Sequence, residues 1–245
     1  MGRLSGRLQS VADFVTMGSV LADVGCDHGY LPIYLIETGH IPRAIAMDVN
    51  PGPLRHAAEH IDRAGLGKYI ETRLSDGLKG LRQEEADSLV IAGMGGALTV
   101  RILSDTPDVW QKMREVILQP QSEIEVVRRY LYDAGFCIVR ENMVEEDGKY
   151  YMMMRGISKT AAGVQEEDVI PECGMTAAYY RYGGCLIRQR HPVLLRYLEK
   201  SRRQLEAIRQ NLLRQEQTEA ITLRLQEVQE KLSVLKMAWE EMTDE

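Results

Sequence analysis

A glycine turn between a strand-like segment and a helix-like segment constrains the fold of this chain more than any other feature. Residues 20–24 are apolar apart from Asp23, and the turn that follows them contains Gly25 and Gly29. A second apolar segment ends in Asp48. In a doubly wound sheet, glycines at such a turn let the backbone approach a ligand, and an acidic residue ending the second strand accepts hydrogen bonds from ribose hydroxyls. The pattern therefore predicts an α/β sheet that grips an adenosyl cofactor.

The same turn departs from the dinucleotide-binding fingerprint, which is Gly-x-Gly-x-x-Gly. Here three residues separate Gly25 from Gly29, and Asp27 stands where a middle glycine could be. A carboxylate at this position would repel a pyrophosphate, but it could hold the amino group of a methionine-type cofactor. We therefore predict S-adenosyl-L-methionine (SAM) rather than NAD. The alternative is an ordinary turn in which Asp27 and His28 cap the next helix.

Strand-like and helix-like segments alternate along the first part of the chain. After residues 20–24, strand-like segments recur at residues 44–48, 70–74, 88–92, 115–118, 136–144 and 149–155. Helical periodicity marks residues 4–17, 51–64 and 123–134. The alternation predicts a parallel sheet, and the turn Asp147-Gly148 predicts a closing β-hairpin. We expect a class I SAM-dependent methyltransferase fold, which is Rossmann-like, mostly parallel and ends in an antiparallel hairpin.

The C-terminal part of the chain has a different pattern. A polar segment, residues 157–168, reads as a linker, and two heptad runs follow at residues 194–212 and 221–242. The runs are out of phase across residues 215–218, which predicts two helices folded into an antiparallel coiled-coil hairpin. One bent helix is the alternative, because neither Gly nor Pro marks the turn. We therefore predict a methyltransferase domain at residues 1–160 and a helical coiled-coil domain at residues 161–245.

Composition excludes several classes of protein. The chain has 245 residues and 44% hydrophobic residues, enough for a core, yet no apolar run is long enough to span a membrane. The N-terminus lacks the apolar core of a signal peptide. The four cysteines show no metal-ligand spacing, so we expect free thiols in a reducing cytoplasm and no metal site. These four are Cys26, Cys137, Cys173 and Cys185.

The cofactor site is predicted at the ends of the strand-like segments. Asp76, in Ser75-Asp76-Gly77, is placed to accept a hydrogen bond from the cofactor's adenine amino group, with a solvated Asp-Gly turn as the alternative. His28 could act as a base, but capping or packing is the better interpretation. The predicted cofactor residues are Asp23, Gly25, Asp27, His28, Gly29, Tyr30, Asp48, Asp76, Gly77, Ala92 and Gly93.

The methyl acceptor is predicted at the end of the fourth strand-like segment. Gly93, Met94, Gly95 and Gly96 put three glycines in four positions, which leaves backbone bare and lets a flat base enter. We therefore assign Met94, Gly95 and Gly96 to the substrate. A glycine-rich turn required only for positive φ angles is the alternative.

Basic residues concentrate in one region of a chain whose net charge is −6. Residues 181–214 hold nine Arg and Lys against two Glu. We predict phosphate contacts to RNA from Arg188 and Arg190, and from Arg3 and Arg7 near the N-terminus. A solvated coiled-coil face is the alternative.

Taken together, these motifs resemble those of the bacterial tRNA (adenine-N1)-methyltransferases that modify adenine 22, the TrmK family. The likeness covers nearly the whole chain. It is strongest in residues 23–32, in Asp76-Gly77-Leu78, in residues 91–96 and in Gln119-Pro120-Gln121. The resemblance implies SAM-dependent methylation of adenine N1 in the D-arm of tRNA.

Two catalytic residues are assigned with the help of that resemblance. The position matching Asp76 is needed for activity in the family, and Asp27 or Asp76 near the adenine edge would stabilise the positive charge that grows on the base. A monomer that needs no metal and no membrane is expected. The alternatives are methylation of another RNA or a protein, or a non-catalytic RNA-binding adaptor. The sequence does not decide which tRNAs are accepted or how they dock.

Overall fold

The computed structural model describes residues 4–159, 176–216 and 218–243. They belong to two compact units: residues 4–159 are part of the first, and residues 176–216 and 218–243 are part of the second. The domain boundary predicted at residue 160 lies outside the described residues. Within the described ranges, no helix is both long enough and apolar enough to cross a membrane.

The first unit is built around a mixed sheet. Its helices and strands are α1 Gly6–Ala12, β1 Val20–Val24, α2 Tyr30–Glu37, β2 Arg43–Asp48, α3 Pro51–Arg63, β3 Ile70–Leu74, β4 Ser88–Met94, α4 Gly96–Asp105, α5 Pro107–Trp110, β5 Glu115–Pro120, α6 Ile124–Asp133, β6 Phe136–Glu146 and β7 Lys149–Ser158. Within residues 4–159 the strand order is β3-β2-β1-β4-β5-β7-β6. Strands β1 to β5 pair in parallel, whereas β7 runs antiparallel to both β5 and β6. The predicted methyltransferase fold with its terminal hairpin is confirmed.

Alternating side chains of the central strands fill two apolar layers, one on each face of the sheet. In β2, Ile45 and Met47 pack with residues of α4 and α6, whereas Ala44 and Ala46 pack with residues of α1, α2 and α3. This period of two is what a strand buried on both faces requires. Helices therefore pack on both faces of the sheet. Because β1 to β4 are parallel, their carboxyl ends lie at the same edge.

The first helix is shorter than the periodicity predicts. It covers Gly6–Ala12 rather than residues 4–17, and the Ser5 side chain caps its start. Beyond it the chain is held by a distant carboxylate: Glu115 accepts hydrogen bonds from the Thr16 N–H at 2.8 Å and the Thr16 hydroxyl at 2.7 Å. Phe14 and Val15 are still buried. The apolar spacing therefore continues past residue 12 although the helix does not.

The second unit is helical in all its regular structure within the described residues. Its helices are α7 Ala177–Tyr182, α8 Gly184–Arg188, α9 Pro192–Leu213 and α10 Glu219–Thr243. The two long helices contact each other, with the Arg202 guanidinium 5.3 Å from the centre of the Trp239 ring. Two helices are therefore present rather than one bent helix. The Thr218 hydroxyl accepts a hydrogen bond from the Ile221 N–H and marks the start of α10. The coiled-coil geometry remains a prediction.

Candidate functional site

The ends of β1, β2, β3 and β4 surround a cavity of about 570 Å³. This is the edge at which open parallel sheets bind their ligands. Twelve of the residues predicted for the site line this cavity. They are Arg7, Asp23, Gly25, Asp27, His28, Tyr30, Asp48, Asp76, Gly77, Ala92, Gly93 and Met94.

Three predicted glycines are not among the residues that line the cavity. Gly29 stands just before α2, and Gly95 stands just before α4. At Gly96, an added Cβ would lie 2.4 Å from the carbonyl oxygen of Ser122. The absence of a side chain at Gly96 therefore lets two backbone segments meet, and its assignment to the substrate stays a prediction.

Gly25 has a steric reason to be glycine. Its φ angle is +75°, and a Cβ there would lie 2.2 Å from the Cε atom of Met94. The turn is anchored because the N–H groups of Gly25 and Cys26 both donate to the Met47 carbonyl, at 2.8 and 3.0 Å. The glycine turn and the end of β4 are therefore in direct contact across the cavity, as the sequence interpretation required.

Two buried aspartates form the acidic part of the cavity. Asp23 is 4% exposed and Asp48 is 8% exposed. The Oδ1 atom of Asp48 accepts a hydrogen bond from the Asn50 N–H at 2.8 Å. Burial, and secondly the charge of Asp48, raise the pKa of Asp23 to about 7. A cationic or hydroxyl-bearing ligand placed here would satisfy groups that are otherwise expensive to bury.

The other two aspartates of the cavity are more accessible. The Asp76 side chain is half exposed, and its Oδ2 lies 2.6 Å from the Lys79 Nζ. This hydrogen bond and the charge of Lys79 lower the pKa of Asp76, and Arg101 adds a smaller effect in the same direction. Asp27 adopts a φ of 49° in the glycine turn, and its Oδ1 atom lies 3.6 Å from the Nε2 atom of His28. Asp76 therefore offers an ionised carboxylate at neutral pH.

The N-terminal helix supplies a cation to the side of the cavity near β4. The Arg7 Nη1 donates to the Gln119 side-chain oxygen at 2.8 Å. A Cβ on Gly93 would lie 3.7 Å from this nitrogen and 3.8 Å from the side-chain nitrogen, Nε2, of Gln121. The space beside Gly93 is therefore bordered by hydrogen-bond donors, as a planar polar group would require.

Several cavity residues were not predicted as site residues. They include Asn50, Leu98, Arg101, Ile102 and Gln121. Gln121 carried a signal, because it belongs to a motif that supports the family resemblance. Leu98, Arg101 and Ile102 lie on α4, whose helical spacing resembles that of any packed helix.

His28 makes packing contacts, which agrees with the preferred interpretation. Its Nδ1 is buried and has no hydrogen-bond partner among the described residues. Its ring lies against those of Tyr30, His56 and His60, with centroid separations of 5.5 to 5.7 Å. An imidazole held in this way is poorly placed to act as a base.

The remaining predicted residues belong to the second unit or lie outside the described residues. Arg188 and Arg190 belong to the second unit, where both are exposed. Arg3 lies outside the described residues. Among the described residues, no group of three or more His, Cys, Asp or Glu is arranged to hold a metal ion.

Comparisons with known proteins agree with the geometry. Residues 4–154 match the family model of the methyltransferase domain. The chain is 31% identical to the tRNA (adenine(22)-N(1))-methyltransferase of Bacillus subtilis, over 96% of each protein.

Solved structures give the same result. The crystal structure of the B. subtilis m1A22 tRNA methyltransferase TrmK superposes with a TM-score of 0.85 at 31% identity, covering 96% of this chain and 98% of that one. Streptococcus pneumoniae Sp1610 in complex with SAM gives a TM-score of 0.81 at 32% identity, covering 96% and 99%.

Proposed function

The chain belongs to the tRNA (adenine(22)-N1)-methyltransferase family, and on this premise we propose that it methylates N1 of adenine 22 in the D-arm of tRNA, with SAM as the methyl donor. The observation that carries the proposal is the 31% identity over 96% of both proteins. Incubation with labelled SAM and an unmodified tRNA transcript tests it. A transcript with guanine at position 22 is the matched control and should accept no label.

The cavity suits SAM in size and charge. SAM supplies a methyl group on a positively charged sulfur. We assign Asp48 to the ribose, because a carboxylate can accept from two hydroxyls. Asp23 and Asp27 are assigned to the methionine end, and Asp76 with Gly77 to the adenine. The four carboxylates complement the positive charges of the donor.

The strand order separates the two ends of the reaction. Asp76 follows β3, whereas Gly93 and Met94 end β4, and β2 and β1 lie between these strands. The adenosine is therefore assigned to the side of the cavity near β3, and the target base to the side near β4. Arg7 and Gln121 border the space beside Gly93. This arrangement leaves room for a flat base there.

The residues of the chain contribute mainly by positioning. Adenine N1 has an in-plane lone pair and needs no deprotonation before it attacks, so no general base is required. The protein has to align the two reactants, and the Asp27 carboxylate is assigned to stabilise the positive charge that develops on the base. In folded tRNA the base is paired or stacked, so it has to turn out of the stack to reach Gly93.

The buried carboxyl of Asp23 predicts a pH-dependent stability. The pKa of an aspartate side chain is ordinarily about 4, whereas that of Asp23 in the folded protein is about 7. Between these two pH values the folded protein keeps the Asp23 proton, whereas the unfolded chain has lost it. The free energy of unfolding therefore decreases as pH rises from about 4 to 7.

An asparagine side chain is neutral at every pH, so the stability of Asp23→Asn should not show this decrease with pH. Its advantage in Tm over the parent should grow between pH 4 and pH 7 and stay constant at higher pH. SAM affinity of the parent should rise over the same interval, because the ionised form of Asp23 attracts a cation, and the variant should lack that rise. Parallel stability curves for the two proteins would contradict the assignment.

The second unit is assigned to tRNA binding through Arg188 and Arg190. Each phosphate contact releases counterions, so losing one reduces the slope of log affinity against log salt by about 1. Changing both arginines to alanine should reduce that slope by about 2 and leave SAM affinity unchanged. The control changes Arg224 and Lys231, two cations of α10, to alanine and should leave the slope unaltered. An unchanged slope in the Arg188 and Arg190 variant would remove this pair from the interface.

We further propose that the protein acts as a monomer in the cytoplasm, where tRNA is modified, and without a metal ion. Size-exclusion chromatography with light scattering tests the monomer, and activity after treatment with a chelator tests the metal. A stable dimer or loss of activity to the chelator would contradict the respective statement.

A further inference from the structure

A second cavity borders the one assigned to SAM. It has a volume of about 820 Å³ and is lined by residues of α1, α2 and α3. We call it the Tyr30 groove, after the residues Tyr30, Tyr34, His60 and Arg63 that line it together with Arg7. None of these residues except Tyr30 and Arg7 lines the SAM cavity.

The groove and the SAM cavity share a wall. Arg7, Leu8, Asp27 and Tyr30 line both cavities. The two cavities are therefore neighbours. Tyr30 was predicted as a cofactor residue from its place in the turn, but its position gives it access to a second ligand.

An aromatic ring of the groove is fixed yet open to solvent. Tyr30 is 50% exposed. Its ring stacks on the imidazole of His60, with centroids 5.3 Å apart and an interplanar angle of 23°. The Nδ1 of His60 lies 3.0 Å from the carbonyl oxygen of His28, which holds the imidazole in place. Supported aromatic rings of this kind are the platforms on which proteins stack unpaired bases.

The charges along the groove suit one nucleotide better than a long stretch of backbone. Arg7 and Arg63 provide guanidinium groups that can bind a phosphate. Asp27 and Glu37 line the same groove and oppose a run of phosphates. Because Arg7 is held by Gln119 at 2.8 Å, its guanidinium is already oriented at the shared wall.

We propose that the Tyr30 groove binds the nucleotide adjacent to the target adenine, with its base stacked on Tyr30 and its phosphate bound by Arg7 or Arg63. The inference rests on the proposed function. An adenine that turns out into the SAM cavity brings its chain neighbours with it, and the groove is an aromatic surface that shares Arg7, Asp27 and Tyr30 with that cavity. The ligand is therefore a segment of the RNA substrate, read by stacking.

The first test compares Tyr30→Ala with Tyr30→Phe. Loss of a stacked base should raise the KM for tRNA by about tenfold to hundredfold in the alanine variant, while the phenylalanine variant should restore most of the affinity. Tyr30 also lines the SAM cavity, but the Kd for SAM should change much less than the KM for tRNA, and the Tm should stay close to that of the parent. Tyr69→Ala is the matched control, because Tyr69 is also 50% exposed but lies outside the groove.

The second test observes stacking directly. Two tRNAs would be compared, one with 2-aminopurine at position 21 and one with it at position 23. The fluorescence of one of them should decrease when it binds the parent, and Tyr30→Ala should abolish that quenching. Unchanged KM and quenching in Tyr30→Ala would overturn the inference while the parent still methylates tRNA. A raised Kd for SAM with an unchanged KM for tRNA would also overturn it, because Tyr30 would then serve the cofactor. A parent that methylates no tRNA would instead overturn the proposed function.

Discussion

Replacing Asp48 with alanine should weaken SAM binding by about tenfold to hundredfold, and it should also make the unliganded protein more stable. This range counts the net loss of one hydrogen bond between a buried carboxylate and ribose, since such a charged bond contributes about 1.5–3 kcal/mol. The gain in stability follows from the repulsion between Asp48 and Asp23, which is visible in the raised pKa of Asp23. Removing the charge of Asp48 removes this repulsion. Titration calorimetry gives the affinity, and thermal unfolding without ligand gives the stability.

Two controls separate the possible roles of Asp48. Asp48→Asn keeps an oxygen that can accept from the Asn50 N–H, so it should preserve the turn and still lose affinity. Glu59→Ala changes an exposed acid on α3 that does not line the cavity, and it should change neither quantity. If Asp48→Ala lost stability together with affinity, its main role would be to hold the turn.

Replacing Asp76 with alanine should lower kcat/KM for methyl transfer by about tenfold to hundredfold, again the loss expected for a charge-assisted hydrogen bond. Lys79 keeps this carboxylate ionised. Because Asp76 follows β3, which neighbours β2 and its Asp48, we expect the deficit to lie in SAM binding. The rate of methyl transfer should therefore return close to that of the parent when SAM is saturating.

The matched control for Asp76 is Asp105→Ala. Asp105 also contacts Lys79, at 3.7 Å, but it does not line the cavity. Its replacement should leave kcat/KM within about twofold of the parent, the range expected for an exposed ion pair. A reduced kcat with an unchanged Kd for SAM in Asp76→Ala would move Asp76 to the tRNA side of the reaction.

The sequence predicted well those features that depend on local pattern. Strands buried on both faces are visible as short apolar runs, and Asp48 ends such a run, whereas Asp76 follows the more polar strand β3. Because carboxyl ends of parallel strands meet at one edge, their convergence with Gly25 could be expected before any coordinates. The cofactor side of the site was therefore accessible from sequence.

Features that depend on distant contacts were not accessible. The segment that follows α1 is held by Glu115, which is 99 residues from Thr16. The Tyr30 groove joins Tyr30 to His60, on separate helices. The packing of Gly96 against Ser122 likewise depends on a segment that is distant in sequence. No spacing rule within one element reports such contacts.

The identity of the methylated nucleotide tests the central claim most directly. Mass spectrometry of tRNA from cells with and without this protein would locate it. The account predicts 1-methyladenine at position 22 in the first sample and unmodified adenine there in the second. Identical tRNA in both samples, with the missing methyl group found on ribosomal RNA or a protein, would contradict the proposed activity.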